Sequence, residues 1–169
     1  MTSVIKEYPD DALAAQPIGY WSGEAYRTIV GRIREDLAVE GLTQPHWWIL
    51  NHVAGAPATW DRAGLIRRLG RFDDLGTDFD DVIDDLLRRG WLAQEQEQGQ
   101  EQEQGQGQGQ QDATFVLTEA GEAGRQRATN RGQRTNAQIH DGITPTEYVA
   151  ALNVLRRMIA NLGGDSNLP

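Results

Sequence analysis

Apolar residues recur along this chain at helical spacing over most of its length. From Trp21 to Glu40, Tyr26, Ile29, Val30, Ile33 and Leu37 form one stripe of a long amphipathic helix, and Gly41 supplies a stop. Thr43 is placed to cap a second helix with Pro45 in its first turn, running through Trp47, Trp48, Ile49, Leu50 and Val53 to Gly55. After a turn with Pro57, Asp61 caps a short helix carrying Leu65, Ile66 and Leu69, ended by Gly70. Thr77 is expected to cap a fourth helix, with Phe79, Val82, Ile83 and Leu86 as its buried stripe and Gly90 as its stop. Three short helices in a row suggest a helix-turn-helix.

The pattern then changes. Residues 94–111 contain only Gln, Glu and Gly, between "GWLA" and "ATFVLT", two short apolar or β-prone stretches. The natural reading is a β-hairpin whose tip is disordered, because a strand without an apolar face has nothing to bury. Thr118 caps a long polar helix with Arg125, Arg127, Arg131 and Arg134, and "TPTE" at 144–147 is a capping box with proline at the first helical position. The last helix repeats Tyr148, Leu152, Leu155, Ile159 and Leu162 in alternating steps of four and three, the seam of a helix that packs on another helix. Gly163 and Gly164 end it, and residues 165–169 are expected to fray.

Composition narrows the function. The 169 residues suit a single domain or one subunit with an extended interface, and a formal charge of -9 argues against sequence-independent attraction to nucleic acid or an anionic membrane. The absence of cysteine removes disulfides, thiolate nucleophiles and Cys-ligated metal. The N-terminus lacks the basic start and apolar run of a signal peptide, and nowhere do 18 apolar residues occur together, so a cytoplasmic protein with no membrane partner is expected. His46, His52 and His140 are dispersed, no Ser is placed with a base, and the glycines at 99–109 precede no Lys. The aspartates of 73–85 lie on a predicted helix rather than at the alternating spacing of a calcium loop. No enzyme, cofactor or metal is expected.

The order of elements resembles the MarR family of winged-helix transcription regulators. "LTQPHWWIL" (42–50) resembles that family's second helix, with His46 where Gln is usual. "DLLRRGWL" (85–92) resembles the close of its recognition helix and the opening of its wing, and "VLTEAGEAG" (116–124) its pattern after the wing. The resemblance covers about 21–162 and implies a mainly α fold with a small β-hairpin wing. Residues 1–19 would form an N-terminal arm, 20–42 and 119–164 the helical dimerisation region, and 43–118 the winged helix-turn-helix lobe. It further implies a homodimer, held through Tyr148, Leu152, Leu155, Ile159 and Leu162, that sets two winged helices on palindromic double-stranded DNA and responds to a small aromatic or acidic effector. By family position, the residues facing DNA are Arg62, Arg67, Arg68, Arg71, Thr77, Asp78, Asp80, Asp81, Asp84, Arg88 and Arg89. Those lining the effector cleft are Tyr20, Trp21, Tyr26, Arg27, His46, Trp47 and Trp48, with Arg27 for an acid group and His46 as a polar handle. The bland reading of the tryptophans is core packing.

Charge opposes part of this. Seven aspartates fall within 73–85, and a carboxylate about 5 Å from a phosphate in water is repelled by roughly 0.8 kcal/mol. Four or five of them would cost a few kcal/mol, against only about 11–15 kcal/mol for a whole specific complex. First-turn aspartates complement the helix dipole, and Asp84–Arg88 and Asp85–Arg89 are spaced as i,i+4 pairs, so the acids suit a stable helix better than an operator. The arginines can clamp phosphates or pair with these aspartates. Two alternatives therefore stand beside a DNA-binding regulator: a relative that does not bind DNA, whose acidic helix docks on a basic protein, and a small-molecule binder that does neither.

Overall fold

The computed structural model describes residues 5–95 and 113–167. Its elements run α1 (Asp10–Ala14), α2 (Ile18–Ala38), α3 (Gln44–Gly55), α4 (Arg62–Leu69), a 3₁₀ turn (Gly70–Phe72), α5 (Phe79–Arg88), β1 (Leu92–Glu95), β2 (Thr114–Leu117), α6 (Glu119–Ile139) and α7 (Pro145–Asn161). This is the expected mainly helical chain with one hairpin. It divides into two compact units, Met1–Gly132 and Gln133–Pro169.

In the first unit the core is built where the apolar spacing placed it. Ile49, Leu50 and Val53 of α3, Leu65 and Leu69 of α4, Ile83 and Leu86 of α5 and Phe115 of β2 are all fully buried. The strands pair antiparallel with Leu92 opposite Leu117 and Glu95 opposite Thr114. Gln94 and Glu95, expected in the tip, are the last two residues of β1, and the remainder of the Gln/Glu/Gly tract lies outside the described residues. The outer edge of β2 is closed by backbone bonds from Phe115 N to Trp60 O and from Ala58 N to Phe115 O, at 2.9 and 3.0 Å.

One helix cap differs from expectation. Thr77 does not cap α5: its N–H and hydroxyl donate to Asp73, and Asp78 takes the cap, accepting from the N–H groups of Asp80 and Asp81. Those donations hold Asp73 below the usual carboxylate range. Gly70 ends α4 as expected, and its φ of -57° carries the chain on into the 3₁₀ turn. Gly41 and Gly90 do turn the chain at positive φ, 67° and 66°. The N-terminal arm is also shorter than expected, since α2 already begins at Ile18.

The root of the hairpin is fixed on α6. Thr118 accepts from Gly121 N–H as the cap and donates to the carbonyl of Gly90, while Trp91 O accepts from Thr118 N–H. A Cβ on Gly121 would meet the Trp91 carbonyl, and one on Gly124 the Trp91 indole. Both glycines of "TEAGEAG" are thus needed for close approach.

In the second unit, Thr144 and Glu147 form the expected capping box of α7. After α7 the chain turns back, and Arg156 Nε donates to the carbonyl of Ser166 at 2.8 Å. No residue of α7 is buried.

Candidate nucleic-acid interface

The face of α5 opposite its buried stripe of Phe79, Val82, Ile83 and Leu86 carries the aspartates, and a cation from another helix meets them. Arg62, at the start of α4, donates from Nη1 to Asp80 Oδ1 at 2.8 Å and from Nη2 to Asp84 Oδ1 at 2.5 Å. One guanidinium therefore serves two carboxylates, which offset its charge. Asp84 does not pair with Arg88 as its i,i+4 spacing suggested; Arg88 reaches Asp85 instead, at 3.2 Å, and Arg89 takes the expected partner Asp85 at 2.5 Å. Among the described residues, Asp81 has no ion pair.

Asp85 is held from a second side. His46 Nδ1 accepts from Thr43 N–H at 3.2 Å, so the ring's proton sits on Nε2, which donates to Asp85 Oδ2 at 3.2 Å. Burial pushes His46 below the ordinary histidine range and so favours this neutral form. Burial acts to raise the Asp85 carboxyl, but Arg89 and His46 outweigh it and hold the group below the usual range. His46 thus bridges the α3 cap to α5 and is 7% exposed, which removes it from the expected role of polar handle in a cleft.

Arg67, Arg68 and Arg71 are placed differently. No acid lies within 4.0 Å of any of them among the described residues, and the guanidinium carbons of Arg68 and Arg71 stand 5.8 and 4.6 Å from the centre of the Phe72 ring.

The seven residues expected in an effector cleft are spread over two helices. Tyr20, Trp21 and Tyr26 stand on α2 with about half their surface exposed, and Trp21 shares a small cleft of about 180 Å³ with Tyr8, Ala12, Leu13 and Gln16. Arg27 is paired with Glu24 at 2.5 Å. Trp47 and Trp48 are half-buried against the core, as the bland reading had it. The cation beside Tyr26 is Arg34, which donates to Asp74 Oδ1 at 2.7 Å and to Gln44 Oε1 at 2.8 Å, while the Tyr26 hydroxyl donates to Asp74 Oδ2. Arg34 and Asp74 are 40 residues apart, so no sequence spacing pointed to this cluster.

No family model and no curated protein matches the sequence. Solved structures do match. The PcaV transcriptional regulator from Streptomyces coelicolor superposes with a TM-score of 0.66 at 19% identity, over 88% of this chain and 98% of that one. Wild-type MarR from E. coli, in its apo form, gives 0.60 at 17% identity, over 85% and 98%. The transcriptional repressor CouR, solved on a 23-mer DNA duplex, gives 0.64 at 18% identity, over 90% and 99%. The chain has the MarR fold. Within the MarR fold, α4 and α5 are the two helices of the helix-turn-helix and β1–β2 is the wing, so the Arg62–Asp80–Asp84 cluster lies on the helix-turn-helix itself.

Proposed function

We propose that the protein is a homodimeric, DNA-binding transcription regulator that answers to a small aromatic or acidic effector. The observation that carries the reading is the succession of α4, α5, β1 and β2 within a fold whose matches include a repressor solved on a DNA duplex, at near-full length of both chains. Dimerisation is supported by α7, where Tyr148, Leu152 and Ile159 are 40–43% exposed and Leu162 is 90% exposed, an apolar face that a second copy would cover. Effector response is supported by the exposed rings of α2, with Arg34 rather than Arg27 as the cation beside Tyr26.

The acidic α5 favours the second reading, a basic protein as partner, but Arg62 already balances one of the charges that reading needs. A gel shift against the DNA upstream of the protein's own gene, at two salt concentrations, tests the proposal. Retardation that weakens with salt is expected. Replacing Asp80 and Asp84 with Ser removes two carboxylates and releases Arg62, so non-specific binding should tighten, most at low salt. Absence of any shift by the folded wild type, together with retention of a basic protein that is lost in the same variant, would replace the regulator reading with the partner reading. For the effector, a panel of aromatic acids should quench tryptophan fluorescence and raise the melting temperature; a panel without either effect removes that part of the proposal.

A further inference from the structure

We infer that Glu40, in the turn that closes α2, is a positioning residue for sequence-specific DNA binding, acting through Arg127 and Trp91 on the end of α5 and the root of the hairpin. The inference rests on the DNA-binding reading above and gives a role to a residue outside the set expected to face DNA.

Glu40 ties α2 to α6. Its Oε2 accepts from Arg127 Nε at 2.8 Å and its Oε1 from Arg131 Nε at 3.2 Å. Arg127 foremost, and Arg131 with it, hold its carboxyl below the usual carboxylate range against the opposing effect of burial. The turn that carries Glu40 is itself fixed, because Leu37 and Leu42 are buried in the core and Leu42 N–H donates to Leu37 O at 3.0 Å.

Arg127 makes a second contact. Its guanidinium carbon stands 5.9 Å from the centre of the Trp91 ring, and that of Arg89 stands at the same distance. Arg89 in turn donates to Asp85 of α5 at 2.5 Å and lies against the α2 turn, where a Cβ on Gly41 would come within 3.4 Å of it. Two carboxylate–guanidinium pairs, one ending on α2 and the other on α5, thus converge on one indole. Each carboxylate offsets its own arginine, which lets two cations share a ring. Without the Glu40 charge, Arg127 is left uncompensated beside Arg89, and their repulsion displaces the guanidiniums and the ring they share. Trp91 cannot move alone: its N–H donates to Leu86 O of α5, its carbonyl accepts from Thr118 N–H, and β1 begins at the next residue. A tie that only held two helices together would end at Arg131. The Arg127 arm continues to the residue that joins α5 to the hairpin, and base readout depends on how those two elements are held, whereas attraction to phosphates does not.

The test is the preference of the full-length protein between two duplexes of equal length, read by fluorescence anisotropy. One is the duplex that wild type recovers most strongly from a randomised pool, and the other is unrelated. Glu40→Gln is expected to lower the preference by roughly 2- to 30-fold, with the loss on the selected duplex. Arg127→Gln, at a side chain that is 53% exposed, should lower it as well, and the double variant should lose no more than the larger of the two. The two substitutions change the net charge in opposite directions, so a general electrostatic effect would move affinity for the unrelated duplex oppositely and leave the preference alone. Circular dichroism and sedimentation matched to wild type show that a variant is folded and assembled; if Glu40→Gln does not fold, Arg127→Gln carries the test. A folded variant whose preference is unchanged, or which loses affinity for both duplexes in equal proportion, overturns the inference and leaves DNA binding standing. A folded wild type that recovers no duplex from the pool overturns the reading it rests on, and the inference with it.

Discussion

The winged-helix lobe and helix α7 are both rich in apolar residues, yet they treat them in opposite ways. In the lobe, Ile49, Leu50, Val53, Leu65, Ile83 and Phe115 are fully buried against one another. In α7 no residue is buried, and Val149, Leu152 and Ile159 stand 43–54% exposed. An apolar pattern states that a face must be covered; it does not state by what. The lobe covers itself within one chain, whereas α7 leaves a surface of the kind that marks interaction sites.

Substitutions can break this contrast. The largest effect is expected from Leu155→Glu, which by symmetry removes two apolar side chains from the proposed dimer interface, each worth up to about 1.5–3 kcal/mol, and puts a charge in their place. Sedimentation should show monomer where wild type is dimer; an unchanged dimer would mean that α7 is not the interface. Phe115→Ala empties a fully buried site and should cost about 3–5 kcal/mol in the denaturant unfolding of the lobe. His46→Ala leaves the Thr43 N–H without its partner and takes from Asp85 its link to α3, though not its arginines, and should cost about 1–3 kcal/mol. The wild type itself should report His46 through pH. Burial lowers its folded pKa, so its contribution is fully present above the unfolded value of about 6.5 and is lost as pH falls below that value towards the folded one. His46→Gln, which can still accept from Thr43 and donate to Asp85, should abolish that loss, and melting curves between pH 7 and 5 check it. The smallest effect is expected at α5, where Asp78→Ala should cost about 1 kcal/mol as a lost cap. If Thr77→Val proves the costlier substitution, the cap has been misplaced.

Features set by neighbours in the chain were readable in the sequence. The buried stripes of α3, α4 and α5, the Asp61 and Thr144 caps and the glycine turns at 41 and 90 all follow from spacing within a few residues. The cap expected at Thr77 falls one residue later, on Asp78, and the Thr77 N–H and hydroxyl are taken by Asp73 instead. Charge pairing was least readable. Arg62 lies 18 and 22 residues from its two aspartates, and Arg34 lies 40 from Asp74, separations that only the fold closes. Even within α5 the i,i+4 rule gave Asp85–Arg89 correctly but not Asp84–Arg88, because Asp84 was already held across the helix pair by Arg62. The acid-rich sequence of α5 therefore overstated its net charge as a surface, and the arginine count of α4 overstated what remained free for a ligand.

The seat of Trp91 on α6 bears on how such a lobe can change what it binds. The indole and carbonyl of Trp91 fill the notches left by Gly121 and Gly124, so the hairpin root is pegged to one place on the helix and cannot slide along it. Any side chain at either glycine would collide with the peg and force Trp91, and with it the root of the hairpin, off its seat. Two positions on α6, neither of them among the residues that would face DNA, thus fix the seat of the hairpin root, and a change in what the lobe binds could begin there without any new contact being made.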